Sequence, residues 1–208
     1  MKKDAYTLYQ KYHLDRADER FGMFEILAEN FNIERVLYPG SFVHVTPSFI
    51  FPKAVYVDTQ KPAKQFFATP ARQTLIAERK IYPQEAEVHF HHQDYTKVLP
   101  ACDESFELLI SQYGGFVSQY CKRYLKIGTW LVANNSHGDA SMAFLDDDYR
   151  LAGVIDRRSD KFRFRMEKLD EYFIPKKDML VTKEYLTKIG RGIGYQKSAF
   201  AYVFVRIQ

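Results

Sequence analysis

The chain has 208 residues, of which 46% are hydrophobic and 27% charged, and its formal net charge is +4. This length suits one generous domain and is tight for two, and the composition is that of an ordinary globular protein. The positive charge is spread along the chain, whereas proteins that bind nucleic acids usually carry a denser basic patch, so that class is disfavoured.

The start of the chain carries no pattern typical of a secretion signal. A polar, charged segment follows Met1, with no apolar core, and no apolar run elsewhere approaches the length that spans a bilayer. Neither Cys102 nor Cys121 belongs to a C-x-x-C motif or pairs with a histidine. These features predict a cytoplasmic protein with two reduced thiols and no membrane association.

Helical and extended patterns alternate over the first two thirds of the chain. Apolar residues at helical spacing predict a helix at 17–31, and further helices are predicted at 62–79 and 116–125. Short apolar runs that end at turn residues predict strands between them, at 35–38, 54–57, 87–91, 106–111 and 129–133. Such alternation is typical of βαβ units and therefore of a mainly parallel sheet between two helical layers.

The last third of the chain has a different pattern. Residues 162–166 alternate strictly between aromatic or apolar and basic side chains, which predicts a strand with one wet face. Residues 181–189 are typical of a helix, with Thr182 as its cap. The long apolar run at 198–207 predicts a final strand, suited to an antiparallel edge of the sheet.

The strongest local basic run covers residues 156–165. Its side chains could contact phosphates, but such a run is more often the solvated face of a strand or loop. Contact with nucleic acid is therefore kept as the disfavoured alternative to a small-molecule partner. The sequence predicts no particular oligomeric state.

This order of elements resembles the class I methyltransferases that use S-adenosylmethionine (SAM), over roughly residues 17–205. The resemblance implies a three-layer α/β sandwich with a mainly parallel, Rossmann-like sheet and an antiparallel C-terminal strand inserted near the end of that sheet. It implies a single domain over 1–208, with an N-terminal extension at 1–16. Residues 171–194 would be an insertion that forms a substrate lid, which Gly190, Gly192 and Gly194 would allow to bend.

The turn after the first strand carries the resemblance and also departs from it. Gly40 matches the first glycine of the family's cofactor loop, and Ser41 beside it offers a hydroxyl and a main-chain N–H. Tyr38 stands where the family has an acidic residue, and Phe42 and His44 stand where it has further glycines. A tight strand-to-loop turn without a ligand is the alternative interpretation of this segment.

The resemblance implies cofactor contacts at the ends of the next strands. Asp58 follows Gly40 by 18 positions and would accept hydrogen bonds from both ribose hydroxyls. Asp94 would accept from the adenine amino group, and Tyr95 would lie against the ring. The loop after the fourth strand, with Ser111 and Tyr113, would face both cofactor and substrate. Asp58 and Asp94 could instead be plain strand-end or turn residues.

Histidines provide the remaining candidates for chemistry. His137, in the polar segment after the fifth strand, is the candidate general base, with a solvated loop residue as the alternative. Asp139 is expected to cap the helix that begins there. His89 and His91 share one face of a strand, but no third ligand has matching spacing, so no metal site is predicted.

The resemblance implies a SAM-dependent methyltransferase that acts on a small or modest polar acceptor by direct displacement. No covalent nucleophile is needed for such a transfer. The alternative is a non-catalytic binding or scaffold protein that kept the fold and lost the glycine-rich loop. A third interpretation is that a different nucleotide occupies the same edge of the sheet.

Overall fold

The computed structural model describes residues 5–16 and 19–208. In that part of the chain eight strands form one sheet: β1 Arg35–Pro39, β2 Lys53–Val57, β3 Glu87–His91, β4 Phe106–Ser111, β5 Leu125–Ala133, β6 Tyr149–Arg158, β7 Lys161–Arg165 and β8 Ala201–Arg206. The α-helices of the described residues are α1 Ala5–Tyr9, α2 Phe21–Asn30, α3 Lys61–Phe67, α4 Pro70–Arg79, α5 Val117–Tyr120, α6 Asp139–Phe144 and α7 Lys183–Ile189.

The sheet has the strand order β3-β2-β1-β4-β5-β8-β6-β7. Strands β1 to β5 pair in parallel, and β8 runs antiparallel between β5 and β6. This arrangement confirms the predicted α/β sandwich with a mainly parallel sheet and an inserted antiparallel C-terminal strand. The protein therefore has a class I methyltransferase-like fold.

The apolar pattern of residues 198–207 suits an edge strand, but β8 is an inner strand of the sheet, as the resemblance implies. Strand β8 pairs with a neighbour on both sides, and β3 and β7 form the edges. Strand β6, which pairs with β8, is absent from the predicted strands, because a register shift between Leu151 and Gly153 interrupts its pattern and its end falls in the basic run of residues 156–165. That basic run is in fact the β6–β7 hairpin, whose second strand alternates in burial as predicted.

Successive residues of the central strands point to opposite faces and fill two separate cores. Val36 and Tyr38 contribute to one core, which α1, α2 and α4 cover, whereas Leu37 contributes to the other, which α5 and α6 cover. Val36, Leu37 and Tyr38 are fully buried, so β1 is covered on both faces, as expected for a parallel strand between two helical layers.

Three predicted helices differ from the observed ones. The helix predicted at 62–79 is two helices, because Pro70 has no N–H to donate and its ring disfavours a continuous helix. The segment at 116–125 forms only α5 and a short 3-10 turn before β5 begins. The helix predicted at 17–31 is α2, which begins only at Phe21 and ends at Asn30; residues 17 and 18 lie outside the described residues.

The C-terminal insertion is packed onto the fold. Tyr172 and Phe173 are buried, and Phe173 stacks on Phe144 of α6 with ring centroids 4.3 Å apart. A Cβ at Gly192 would overlap the carbonyl oxygen of Asn135, so the insertion contacts the loop after β5 through its main chain. Helix α7 has its predicted cap, since Thr182 accepts a hydrogen bond from the Tyr185 N–H at 3.1 Å.

Over residues 5–16 and 19–208, every helix is too short or too polar to cross a bilayer. Both thiols are free: Cys102 is exposed and Cys121 is buried.

The expectation that Asp139 caps the helix it begins is wrong. Its side chain instead joins α5 to α6. Its carboxylate accepts hydrogen bonds from the main-chain N–H and the hydroxyl of Ser118, at the start of α5, and from the Ser111 hydroxyl. Gly138 takes the cap position with φ of 87°. Burial raises the pKa of Asp139 from 3.8 to about 6, although these hydrogen bonds oppose the rise.

This raised pKa predicts that the free energy of unfolding falls as pH rises. A proton bound more tightly in the folded state stabilises it fully below pH 4, and this stabilisation disappears as pH passes through 6. Between pH 4 and pH 6, we expect the free energy of unfolding of the wild type to fall by about 2–3 kcal/mol relative to that of Asp139→Asn. Urea unfolding at pH 4, 5, 6 and 7 measures the difference.

The matched control is Asp147→Asn, which removes an exposed carboxylate from the neighbouring turn. Its pH dependence should follow that of the wild type. Parallel stability curves for the wild type and Asp139→Asn would contradict the assignment of a raised pKa to this group.

Candidate functional site

The carboxyl ends of β1 to β5 meet at one edge of the sheet, because these strands are parallel. The strand order reverses between β1 and β4, where one half of the sheet continues to β2 and β3 and the other to β5. In open α/β sheets, ligands bind in the crevice outside this reversal. The loops that follow β1, β2, β3, β4 and β5 therefore define the candidate site.

Gly40 is required by the close approach of two loops at the reversal. Its φ is 66°, in the left-handed region, and a Cβ there would lie only 2.9 Å from the Cα of Gly114 in the loop after β4. The Gly40 N–H donates to the Val57 carbonyl at 2.8 Å, which extends the β1–β2 ladder. The main chains of the two halves of the sheet thus touch at this turn.

Phe42 keeps a glycine-like backbone although it has a bulky side chain. Its φ is 49°, a conformation that costs about 1–2 kcal/mol for a residue with a Cβ. The ring packs edge-on against Tyr12 at a centroid distance of 4.9 Å, and the side chain is half-buried. Part of the N-terminal extension therefore holds the ring that replaces a family glycine.

Tyr38 and His44, the other two departures from the family pattern, form a hydrogen bond with each other. The Tyr38 hydroxyl lies 2.9 Å from Nδ1 of His44, and Nε2 of His44 lies 2.8 Å from the Glu19 carbonyl oxygen. A carbonyl only accepts, so Nε2 carries the hydrogen and Nδ1 accepts from Tyr38. His44 also stacks on His13 at 4.3 Å. Burial, followed by His13 and Arg20, holds the pKa of His44 well below its ordinary value, so the ring is neutral.

Asp58 ties the end of β2 to the turn after β1. Its Oδ2 accepts from the main-chain N–H of Phe42 and its Oδ1 accepts from that of Gln60, both at 2.8 Å. A carboxylate has about four lone-pair positions, so each oxygen can accept one more hydrogen bond. Asp58 is only 6% exposed, and that exposed part lines a cavity.

We call this cavity the acidic cavity. It has a volume of about 410 Å³, within the roughly 300–1,000 Å³ typical of small-molecule sites. Two carboxylates line it, and none of the described residues around it is basic. Its lining consists of Gly40, Phe42, Asp58, Thr59, Gln60, Gln93, Asp94, Tyr95, Tyr113 and Gly114.

Asp94 and Tyr95 occupy the wall that follows β3. Asp94 is exposed, and its Oδ1 accepts from the Thr96 N–H at 2.9 Å, which lowers the pKa of its carboxyl. The Tyr95 hydroxyl accepts from the Gly115 N–H at 2.9 Å, so the ring is held beside the loop after β4. Burial, ahead of smaller effects, raises the pKa of Tyr95.

Two of the predicted cofactor residues, Ser41 and Ser111, are buried and do not line the acidic cavity. Ser41 is fully buried, and its hydroxyl has no hydrogen-bond partner among the described residues. Ser111 is also buried and donates to Asp139, as described above. The structure therefore brings Gly40, Asp58, Asp94, Tyr95 and Tyr113 together around one cavity and separates the two serines from it.

A second cavity, which we call the basic cavity, also has Tyr113 in its lining. It has a volume of about 550 Å³, and of the described residues around it two are cationic and none is acidic. Its lining consists of Arg20, Gln112, Tyr113, Asn134, Asn135, Ser136, Lys176, Ile193, Gly194, Tyr195, Ser198, Ala199, Phe200 and Tyr202. The two cavities are adjacent, since Tyr113 lines both.

The basic cavity contains residues that the sequence did not indicate. Arg20 lies over the Tyr113 ring at 4.5 Å and over Phe200 at 5.3 Å, and it donates to the Gln112 side chain. It precedes α2, far along the chain from the strand ends, so no motif marked it. Lys176 comes from within the predicted lid.

The histidine candidates lie outside both cavities. His137 is exposed, one position beyond Ser136, and its role as a general base stays a prediction. His89 lies 3.2 Å from Glu87, and His92 contacts the Thr59 carbonyl at 2.8 Å. Among residues 5–16 and 19–208, no three His, Cys, Asp or Glu side chains are grouped to hold a metal ion.

No protein-family model matches this chain, and no curated protein matches its sequence. Solved structures resemble it distantly. The cyclase SpnF is 18% identical with a TM-score of 0.42 over 57% of this chain, which spans only 45% of the cyclase. A methyltransferase from Geobacter sulfurreducens is 12% identical with a TM-score of 0.49, over 80% of this chain and 91% of that one.

The O-methyltransferase TomG from Streptomyces achromogenes, solved in complex with SAM, is 11% identical, with a TM-score of 0.48 over 79% of this chain and 88% of that one. These TM-scores lie below 0.5 and the identities below 20%. The fold of this protein therefore rests on its own strand order and strand directions.

The contact between the two loops predicts a large cost for adding a methyl group at Gly40. We expect Gly40→Ala to lower the free energy of unfolding by about 3 kcal/mol or more, from the left-handed backbone together with the overlap with Gly114. Gly190→Ala is the matched control: its φ is 60°, but nothing lies within 4 Å of the added Cβ. It should cost only about 1 kcal/mol. Chemical denaturation of both variants measures the two costs, and equal costs would contradict the close approach.

Proposed function

We propose that this protein is a SAM-dependent methyltransferase that methylates a small polar acceptor, with SAM bound in the acidic cavity. The observation that carries the proposal is the position of Asp58. Its carboxylate is fixed by the turn after β1, keeps free lone pairs and lines a cavity at the strand-order reversal. Such a carboxylate is suited to accept hydrogen bonds from ribose hydroxyls.

The charge of the acidic cavity favours SAM over a nucleotide that carries phosphates. Asp58 and Asp94 would repel a phosphate, and none of the described lining residues offers a cation to offset that repulsion. SAM has a positively charged sulfur and an ammonium group and carries no phosphate. The two carboxylates therefore argue against the interpretation that a different, phosphorylated nucleotide occupies this edge.

The other residues that line the acidic cavity fit the remaining parts of SAM. Tyr95 and Tyr113 provide rings against which an adenine could lie, and the Tyr95 ring is already held by the Gly115 N–H. Gly40 leaves its main chain open to the cavity. The space that remains beside Phe42 argues against the alternative of a scaffold with a closed cofactor site.

When bound, SAM supplies an electrophilic methyl group. The residues of this chain then need only to hold the acceptor in line and limit access of water. Tyr113 lies at the boundary between the two cavities, and the adjoining basic cavity is the proposed acceptor site. Asn134 donates to the Gln112 carbonyl, which fixes the loops after β4 and β5 next to that acceptor site.

Titration with SAM tests the proposal directly. At 100 times its dissociation constant, SAM should raise the free energy of unfolding by about 2.7 kcal/mol, as should its demethylated product S-adenosylhomocysteine. Asp58→Asn should weaken SAM binding about tenfold or more, because a charge-assisted hydrogen bond is lost. Calorimetry on the folded proteins measures the affinity separately from any change in stability.

Asp147→Asn, which removes an exposed carboxylate outside both cavities, is the control and should bind SAM like the wild type. ATP should produce no heat of binding. Absence of SAM binding at millimolar concentration, or equal binding of ATP, would overturn the proposal and leave the non-catalytic alternative.

A further inference from the structure

The C-terminal insertion forms a further cavity, which we call the insertion groove. It has a volume of about 370 Å³, and it adjoins the basic cavity because Lys176, Ile193 and Gly194 line both. A ligand that occupies the basic cavity could therefore extend into the insertion groove. The lining of the groove consists of Lys176, Lys177, Met179, Tyr185, Ile189, Arg191, Gly192, Ile193 and Gly194.

Main-chain hydrogen bonds hold the two sides of the insertion groove together. Pro175 and Tyr195 form an antiparallel bridge, next to which the Lys176 N–H donates to the Gly194 carbonyl at 3.0 Å. The stem of Lys176 passes close to Gly194, since a Cβ there would lie 3.5 Å from the Lys176 Cδ. Helix α7, which forms part of the wall, is anchored by the fully buried Leu186. The groove is therefore built into the packed structure.

Three cations line the insertion groove, and none of its described lining residues is acidic. The side chains of Lys176, Lys177 and Arg191 are exposed, and within residues 5–16 and 19–208 they form no salt bridge or hydrogen bond. In contrast, Lys197 of the same region pairs with Glu171 at 2.6 Å. Clustered cations without such a partner create a positive potential that attracts an anion.

The number of these cations favours a doubly charged ligand group. A phosphate monoester carries a charge of about −1.5 to −2 and three strong acceptor oxygens, whereas a carboxylate carries a single charge. The guanidinium of Arg191 can bind two phosphate oxygens at once, and the two lysines act as point charges. Asp178 follows Lys177 in the chain but does not line the groove, so its carboxylate does not face such a ligand.

Apolar side chains form much of the remaining wall. Tyr185 is 38% exposed, and Met179, Ile189 and Ile193 are half-buried. Removal of such surface from water favours binding of an apolar group next to the anion. Sites for single-stranded nucleic acids stack successive bases on several aromatic rings, but Tyr185 is the one aromatic residue among the described lining residues of this groove.

We infer that the insertion groove binds a small-molecule phosphate monoester with an apolar body, with the phosphate at Lys176, Lys177 and Arg191. The volume of about 370 Å³ suits a ligand of that size. The identification of this ligand as the far end of the methyl acceptor rests on the function proposed above, because the groove adjoins the proposed acceptor site. The phosphate site itself does not rest on that function.

The test uses the full chain without cofactor, titrated at constant ionic strength with hexyl phosphate, hexanoate, inorganic phosphate and 1-hexanol. Hexyl phosphate has both features of the inferred ligand, hexanoate carries a single charge, and the other two probes have one feature each. We expect hexyl phosphate to bind about tenfold or more tightly than each of the other three. Calorimetry measures the four affinities.

A pair of double variants locates the binding. Lys177→Met with Arg191→Met should weaken binding of hexyl phosphate about tenfold or more, because two charged contacts are lost. Lys161→Met with Lys188→Met removes the same charge from exposed positions on β7 and α7 outside all three cavities and should leave the affinity unchanged. Both variants should keep the urea midpoint of the wild type.

Equal binding of hexyl phosphate and hexanoate, or of hexyl phosphate and 1-hexanol, would overturn the inference, as would equal effects of the two double variants. Short single-stranded RNA, or vesicles with phosphatidic acid, could instead bind with loss in the first double variant while hexyl phosphate does not bind. That result would overturn the inference in favour of a nucleic acid or a membrane. Amide chemical shifts of Gly192 and Gly194 should move with hexyl phosphate, and shifts confined to other surfaces would contradict the site.

This result is separable from that of the SAM titration. Binding of hexyl phosphate without SAM binding would refute the methyltransferase and leave the phosphate site intact. SAM binding without binding of hexyl phosphate would support the methyltransferase and refute the phosphate site.

Discussion

The site depends on the contact between the main chains of Gly40 and Gly114. These residues end neighbouring strands on either side of the strand-order reversal, and neither loop could approach the other if Gly40 carried a side chain. The contact fixes Tyr113, which follows β4, at the boundary of two cavities. The close approach of these two main chains thus lies where the acidic and the basic cavities adjoin.

The departures from the family's pattern are accommodated without filling the acidic cavity, which Phe42 lines. Tyr38 and His44 bind each other in the core, and the Phe42 ring contacts Tyr12 of the N-terminal extension. The Phe42 main chain nevertheless stays in the left-handed region and donates to Asp58. The bulky side chains therefore change the packing of the core next to the turn. The main chain of Phe42, which lines the acidic cavity, keeps the backbone conformation of a glycine.

The two cavities at this edge of the sheet differ in the charges of their lining residues. Asp58 and Asp94 line one, and Arg20 and Lys176 line the other. The proposal that SAM occupies the acidic cavity rests on this difference, because carboxylates attract a cationic ligand and repel a phosphate.

The sequence by itself determined the five parallel strands and the residues at their ends, because short apolar runs and turn residues are local signals. It thereby indicated Gly40, Asp58, Asp94, Tyr95 and Tyr113, which do line one cavity. Only the tertiary structure buried Ser41 and Ser111 and turned Asp139 towards α5. It alone brought Arg20 and Lys176 to one cavity, because 156 positions separate them in the chain and no local pattern records which distant side chains will meet.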